Sequence, residues 1–410
     1  MAQHLPEIAL PAELLREIVQ LLPLDDQRTL TLTSQSIRDQ VLLFIFGHLR
    51  YTGYDVPAKV RHINQARQDV KDAIRKLELG SRALGGGKAD SSIAIFEFLQ
   101  TLPNLQVFIY RQLGPLISPS ELSQLLSSLR HAPILELGIH TGMYNAVEGP
   151  LVIGLSGLQK LSITWPSNDI PDEPGSSVAH LFALIQPSLT TLVELFVDYT
   201  PEELSAPLDL RLLSPAGNTL QVFEYTLQSP DDKILDIIPE IFPDLTKLAI
   251  TWDNVIEEHS LLWKDAHILS LAKNNNLIEL TLSSDFEVDA EDEVRADQDY
   301  AWFVRSYTRR LKATQDVATA CPRLQRCNWV QMRIGKNNTS MTHPFIIEEQ
   351  TSDGKQVRHV RGIKQQWMGK DRIFWRDNSV VKCKLEDLPG DIIGENDPPE
   401  EDHVDEEGEE

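Results

Sequence analysis

The residues with the clearest capacity to bind another molecule are basic and aromatic side chains that alternate near the C-terminal end of the chain. A guanidinium group can pair with a carboxylate or phosphate, and an aromatic ring can stack, so this pattern suits an acidic or phosphorylated peptide or single-stranded nucleic acid. Equally, such charges can form the solvated surface of a terminal cap. The candidate target-binding residues are Arg326, Trp329, Arg333, Arg358, Arg361, Trp367, Arg372 and Trp375.

No arrangement of residues in the sequence predicts catalysis. The 11 histidines lack metal-ligand spacing, and the sequence contains no His-Glu-x-x-His, Cys-x-x-Cys or Gly-x-Ser-x-Gly motif. Cys321 and Cys327 flank a predicted helix–strand junction, and both suit a core better than a nucleophile. We therefore expect a protein that is not an enzyme and that needs neither a metal nor another cofactor.

Charge is distributed unevenly along the chain. The formal net charge is -23, but residues 305–384 hold 17 basic and 6 acidic residues, whereas residues 385–410 hold 13 acidic residues and no Lys or Arg. The negative remainder of the chain repels phosphate backbones and disfavours nucleic acid as the partner. An acidic or phosphorylated target protein is the better match for the basic block.

The N-terminal sequence resembles neither a secretion signal nor a membrane anchor. Its longest apolar run, Val41 to Phe46, is far shorter than the roughly 20 residues of a membrane-spanning helix. The three cysteines suit a reducing compartment and no disulfide framework. The expected location is the cytoplasm, the nucleus or both.

Residues 10–23 predict an amphipathic helix. Pro11 suits the first helical position, and Pro23 ends the pattern. Two further short helical patterns follow up to residue 50. Such a small unit encloses little surface by itself. It can present an apolar face to a partner, or it can cap the next domain and bury its leucines internally; periodicity alone leaves both open.

The order Leu10-Pro11-x-Glu13-Leu14-Leu15-x-Glu17-Ile18, followed by Leu22-Pro23 and later Leu43-Phe44, resembles an F-box. Gln27 and the lack of an aromatic residue after Ser34 depart from the usual family pattern. The resemblance implies docking on the Skp adaptor of an SCF ubiquitin ligase and, through it, on the cullin scaffold. The implied adaptor-binding residues are Leu10, Pro11, Leu14, Leu15, Ile18, Leu22 and Leu30.

A Leu-x-x-apolar-x-apolar pattern recurs through the middle of the chain, usually after a helical pattern. Its copies begin at residues 105, 135, 158, 192, 220, 245, 277 and 324. Alternating helix and strand predicts parallel strands, in either a doubly wound sheet or a solenoid. The same Leu spacing in nearly every copy favours the solenoid, because stacked repeats place equivalent residues in one core.

The repeats resemble irregular leucine-rich repeats, which completes the predicted organisation. The fold class is α/β: a short N-terminal three-helix F-box, an irregular leucine-rich-repeat solenoid and a small β-rich C-terminal cap. Asp353-Gly354 predicts a hairpin turn in that cap. The expected segments are an F-box at 1–50, a connecting helix (58–79) and Gly-rich linker at 51–91, the solenoid at 92–340, the basic cap at 341–385 and a disordered acidic tail at 386–410.

The two resemblances together imply a substrate-recognition subunit of an SCF-type ubiquitin ligase. The helices would bind the adaptor and the repeat domain would bind a target protein. The alternative is a non-catalytic repeat scaffold whose N-terminal helices only cap the solenoid.

Overall fold

A computed structural model describes most of the chain, in two compact units that divide after residue 208. Everything stated below concerns the residues that it describes. These are 12–53, 55–81, 89–112, 118–140, 152–166, 176–200, 208–227, 233–252, 261–284, 286, 300–332, 340–352, 355–363, 372–376, 379–382 and 392–393.

The first unit begins with three helices, named here the three-helix segment: α1 (Ala12–Leu21), α2 (Leu24–Leu30) and α3 (Gln35–Phe46). Ser34 starts α3 by accepting a hydrogen bond from the Ile37 N–H at 3.2 Å, as an N-cap does. A small core then holds the helices together. It consists of Leu15, Val19 and Val41, with Leu30, Ile37 and Ile45 packed against them.

The first unit continues as six parallel strands, each hydrogen-bonded to the next in sequence. Parallel neighbours need crossovers, and helices lie in most of these connections. The strands are β1 (His48–Thr52), β2 (Lys76–Ser81), β3 (Val107–Gln112), β4 (Glu136–His140), β5 (Lys160–Pro166) and β6 (Glu194–Thr200). The helices are α4 (Val56–Asn64), α5 (Gln68–Ala73), α6 (Ala89–Leu99), α7 (Pro119–Leu129), α8 (Ser176–Ile185) and a 3₁₀ turn (Gln186–Ser188).

The second unit repeats this arrangement and then changes direction. Strands β7 to β10 run parallel, whereas β11 returns antiparallel to β10 and β12 antiparallel to β11. The strands are β7 (Val222–Leu227), β8 (Lys247–Trp252), β9 (Glu279–Ser283), β10 (Arg326–Met332), β11 (Ser340–Ser352), β12 (Lys355–Ile363), β13 (Arg372–Arg376), β14 (Ser379–Lys382) and β15 (Ile392–Ile393). The helices are a 3₁₀ helix (Leu210–Ala216), α9 (Ile234–Ile241), α10 (Ala266–Leu271) and α11 (Tyr300–Ala320).

The predicted repeats occupy equivalent positions. Each of six strands starts two residues after the first leucine of its copy, as β5 does after Leu158. The second apolar position then aligns across neighbouring strands and is buried: Phe108, Leu137, Leu161 and Leu195 in the first unit, and Phe223, Leu248, Leu280 and Cys327 in the second. This alternation leaves the opposite face of each sheet, called here the open face, with half-exposed side chains.

The architecture is therefore a mixed α/β fold whose sheet is not closed, compatible with a solenoid. The hairpin prediction is confirmed, because Ser352 pairs with Lys355 across the Asp353-Gly354 position. Gly-rich residues 84–88 lie outside the described part, as does the acidic tail apart from Ile392–Ile393.

One element was predicted wrongly. Residues 58–79 do not form a single helix: they contain the end of α4, then α5 and most of β2. Ile74, Leu77 and Leu79 are buried with the apolar-x-x-apolar-x-apolar spacing of the later strands. Because Ile74 replaces the leading leucine, the pattern search started too late, and the sheet in fact begins at His48.

Candidate functional site

Helix α1 carries two apolar stripes that point in different directions. Leu15 and Val19 face the small core, with 6% and 1% of their surfaces exposed. Leu14, Ile18 and Leu21 are exposed by 48%, 41% and 86%. Their i, i+4, i+7 spacing places them along one side of the helix. They form what we call the outward stripe of α1, an apolar surface that no other described element covers.

The other predicted adaptor-binding residues divide between core and surface. Leu30 packs against the small core, and Leu22 is half-buried. Leu10 and Pro11 lie outside the described residues. Three further large apolar side chains of the three-helix segment are exposed: Leu32 by 76%, Leu43 by 37% and Phe44 by 38%. So much exposed apolar surface on so small a segment is typical of an interaction site.

Trp329 lies inside the second unit, not on the surface that the alternating pattern suggested. It is fully buried, its ring stands perpendicular to Trp263 with centroids 4.9 Å apart, and its Nε1–H donates to Thr314 Oγ1 at 2.8 Å. A core tryptophan whose polar atom is already satisfied cannot stack on a ligand. The prediction that Trp329 contacts a target is therefore wrong.

Arg358 serves the end of helix α11. Its guanidinium donates to the carbonyl oxygens of Ala318, Cys321 and Leu324, at 2.8 Å for Cys321. The last carbonyls of a helix lack intrahelical donors, and a cation there also complements the helix dipole. Burial lowers the pKa of Arg358, which is partly offset by Glu349. This arginine joins β12 to α11, so its charge is largely used within the unit.

The remaining predicted target-binding residues are dispersed. Arg361 forms an ion pair with Glu348 on β11, and Arg326 is exposed at the start of β10. Arg372 and Trp375 belong to β13, which pairs with β14 in a separate two-stranded sheet. Arg333 and Trp367 lie outside the described residues. The structure therefore does not gather these eight residues into one site.

Sequence reasoning missed an ordered set of polar side chains on the open face of the first unit. Lys160 on β5 lies between two glutamates of the neighbouring strands, with Nζ 3.0 Å from Glu194 and 3.7 Å from Glu136. Burial would lower the pKa of Lys160, but the two carboxylates outweigh it and raise the pKa. Lys247 repeats this arrangement in the second unit, 2.7 Å from Glu224 and 3.8 Å from Glu279. Such cross-strand pairs fix register.

A second polar row follows on the same face of the first unit. Arg111, His140, Thr164 and Asp198 are in register on four adjacent strands, and His140 Nδ1 lies 2.8 Å from Thr164 Oγ1. Burial, followed by the charge of Arg111, lowers the pKa of His140 below its usual value. The signal for this row was present in the sequence as the fifth position of each strand, but only the register shows that the four residues are neighbours.

The described residues contain no catalytic arrangement that we can identify. Within them, no three His, Cys, Asp or Glu side chains lie where they could hold a metal ion. Burial raises the pKa of Cys321 to about 11 and that of Cys327 to about 12, so neither is a thiolate at neutral pH. No helix in the described part has the length and apolar character of a membrane-spanning segment.

A groove of about 410 Å³ lies beside the end of α7 in the first unit. Its lining is mainly apolar, with Arg130 as the charged member and Ser156 as a neutral polar one. These groups could support binding, but they provide no acid–base pair. The complete lining is Leu129, Arg130, Ala132, Ile134, Ile153, Gly154, Leu155, Ser156 and Pro187.

Comparisons with known proteins identify no family. No family model matches the chain, and no curated protein matches it. Among solved structures, a Bacteroides fragilis protein from a structural genomics programme is similar over 61% of this chain and 71% of its own, with 14% sequence identity and a TM-score of 0.36.

Proposed function

We propose that this protein is a substrate-recognition subunit of an SCF-type ubiquitin ligase. The observation that carries the proposal is the outward stripe of α1, formed by Leu14, Ile18 and Leu21. It lies in the segment whose sequence resembles an F-box. An apolar helix face with spacing i, i+4, i+7 suits a groove on a partner, and the Skp adaptor is the partner that the resemblance implies.

The alternative, a scaffold whose N-terminal helices only cap the solenoid, is less well supported. A cap would bury its apolar side chains against the repeats, and α3 does pack against α5. However, Leu14, Ile18 and Leu21 remain exposed in the described structure. The three-helix segment thus closes one end of the first unit while α1 keeps a second apolar surface for a partner.

The repeat region would hold the target. Its strands carry the same leucine spacing in register, which supports the proposal that they are irregular leucine-rich repeats with a β-rich terminal cap. Their open faces carry ordered rows of charged and polar side chains. Such extended faces are the usual binding surfaces of repeat proteins.

The proposed mechanism is proximity and not chemistry by this chain. The adaptor would connect the chain to the cullin scaffold, and the repeats would hold a target near a charged conjugating enzyme. This arrangement raises the effective concentration of the target's lysine at the reactive thioester. None of these steps requires a catalytic side chain, a metal or another cofactor from this protein.

Co-purification with a Skp adaptor tests the proposal. In the test variant, Leu14→Asp and Ile18→Asp are combined, because both side chains are about half exposed and tolerate replacement. Fully burying a Leu or Ile side chain contributes roughly 1.5–3 kcal/mol, so the exposed parts of these two contribute about 2 kcal/mol. Since about 1.4 kcal/mol is tenfold in affinity, we expect binding to weaken at least about 30-fold.

The matched control is Leu269→Asp, which changes a leucine on α10 that is 75% exposed. It adds the same charge to an exposed apolar site outside the three-helix segment, and we expect it to bind the adaptor like the unmodified chain. Circular dichroism checks that all variants are folded. Absence of adaptor binding by the unmodified chain, or equal binding by the test variant, contradicts the proposed function.

A further inference from the structure

The outer edge of β12 presents backbone groups that point away from the sheet. The Ile347 N–H donates to the Gln325 carbonyl at 2.8 Å, so Ile347 faces β10. In an antiparallel ladder, consecutive residues face opposite neighbours. The register Ile347 with Val360 therefore directs the backbone groups of Gln356, Arg358 and Val360 outward.

A short strand already covers one end of this edge. Ile392 and Ile393 of β15 pair in parallel with Gly362 and Ile363. In the described part of the chain, no other strand lies along β12 from Gln356 to Arg361. An edge of this length can accept an additional strand, and β15 shows that β12 takes one in the parallel direction.

The charge of β12 indicates which kind of strand fits. The strand carries Lys355, Arg358 and Arg361 and no acidic residue, whereas Glu348 and Glu349 lie on β11, one strand farther from the edge. Two copies of so basic an edge repel each other, which is how many proteins prevent edge-to-edge pairing. An acidic strand has the opposite charge and is attracted.

The side chains along this edge add a second criterion. Val357 is 49% exposed and offers a β-branched surface beside the open edge. The strand that β12 already accepts consists of two β-branched residues and is flanked in the sequence by Asp391 and Glu395. Both features favour a partner in which β-branched residues are combined with acidic ones.

We propose that an extended, acidic segment rich in β-branched residues, supplied by the target protein, adds as a strand along Gln356–Val360. That this segment belongs to a ubiquitin-ligase target rests on the proposed function; that the edge binds it does not. Backbone hydrogen bonds supply the affinity, and the basic residues of β12 select the charge.

A labelled peptide of alternating valine and glutamate is the probe, and its binding to the full chain is measured by fluorescence anisotropy. One control peptide carries lysine in place of glutamate. Another keeps the glutamates but has N-methyl groups on alternate backbone nitrogens, which removes the donors without changing the charge. We expect only the unmodified acidic peptide to bind.

The test variant of the protein is Gln356→Pro. Proline removes the outward N–H and places its ring at the open edge, whereas the bonds of this strand to β11 come from other residues. We expect the acidic peptide to bind this variant at least tenfold more weakly, and to bind the matched control Gln356→Ala like the unmodified chain. Circular dichroism checks folding of both variants.

Three results would overturn the inference: no binding of the acidic peptide, equal binding of the N-methylated peptide, or equal binding by Gln356→Pro. Dimerisation of the free chain that Gln356→Pro abolishes, seen by sedimentation, would assign the edge to a second copy instead. Gln356→Pro should still bind the Skp adaptor. Peptide binding without any adaptor binding would refute the proposed function and leave this inference standing.

Discussion

Replacing Trp329 with phenylalanine tests whether this ring supports the core of the second unit or serves a partner. The ring is fully buried, packs against Trp263 and donates a hydrogen bond to Thr314 at 2.8 Å. Phenylalanine keeps an aromatic ring but has about three fewer ring atoms; at ~0.8 kcal/mol per methylene-sized group, this costs roughly 2 kcal/mol.

The lost hydrogen bond adds about 1 kcal/mol. Its acceptor, the Thr314 hydroxyl, still donates to the Arg310 carbonyl at 2.7 Å, so no larger penalty follows. The expected total is about 3 kcal/mol. For a unit of this size, 1 kcal/mol shifts Tm by about 2–4 °C, which predicts a decrease of about 6–12 °C.

Calorimetry of the full chain measures the shift in the transition of the second unit. The control is Arg326→Ala, because Arg326 is exposed on the same strand and should change stability by less than about 0.5 kcal/mol. An unchanged transition for Trp329→Phe would refute the core assignment. A larger effect for Arg326→Ala than for Trp329→Phe would do the same.

Two further predictions follow from buried titratable groups. Because burial raises the pKa of Cys321 to about 11 and that of Cys327 to about 12, neither thiol should react with a disulfide reagent at neutral pH until the chain is unfolded; rapid labelling of both in the native chain would contradict this. The lowered pKa of His140 means that the unfolded chain takes up its proton first as the pH falls below about 6.5. The stability of the first unit should therefore decrease over that interval, less so in His140→Gln, and the NMR titration midpoint of His140 should lie below 6.5; a midpoint above it would exclude the buried, neutral imidazole.

Much of the architecture could be predicted because it depends on local spacing. The leucine pattern predicted strands at Leu158 and Leu245, and the structure places both copies in equivalent core positions. Asp353-Gly354 likewise predicted the hairpin. In both cases the residues that define the element are neighbours in the sequence, so the period or the turn residues are sufficient evidence.

The location of functional surfaces was less predictable, because exposure depends on residues that are distant in sequence. Leu14 and Leu15 are chemically identical neighbours, yet one is 48% exposed and the other 6%, since only Leu15 faces Val41 on α3. The sequence identified an apolar helix but could not divide its leucines between core and surface.

The basic block shows the same division between sequence and tertiary structure. Composition by itself determined that residues 305–384 are positively charged and that the tail is acidic. Only the tertiary structure decided that Trp329 fills the core, that Arg358 caps α11 and that Arg361 pairs with Glu348. The physical reason is that a side chain's role follows from what the fold places beside it, and for these three residues the decisive neighbours lie on other elements.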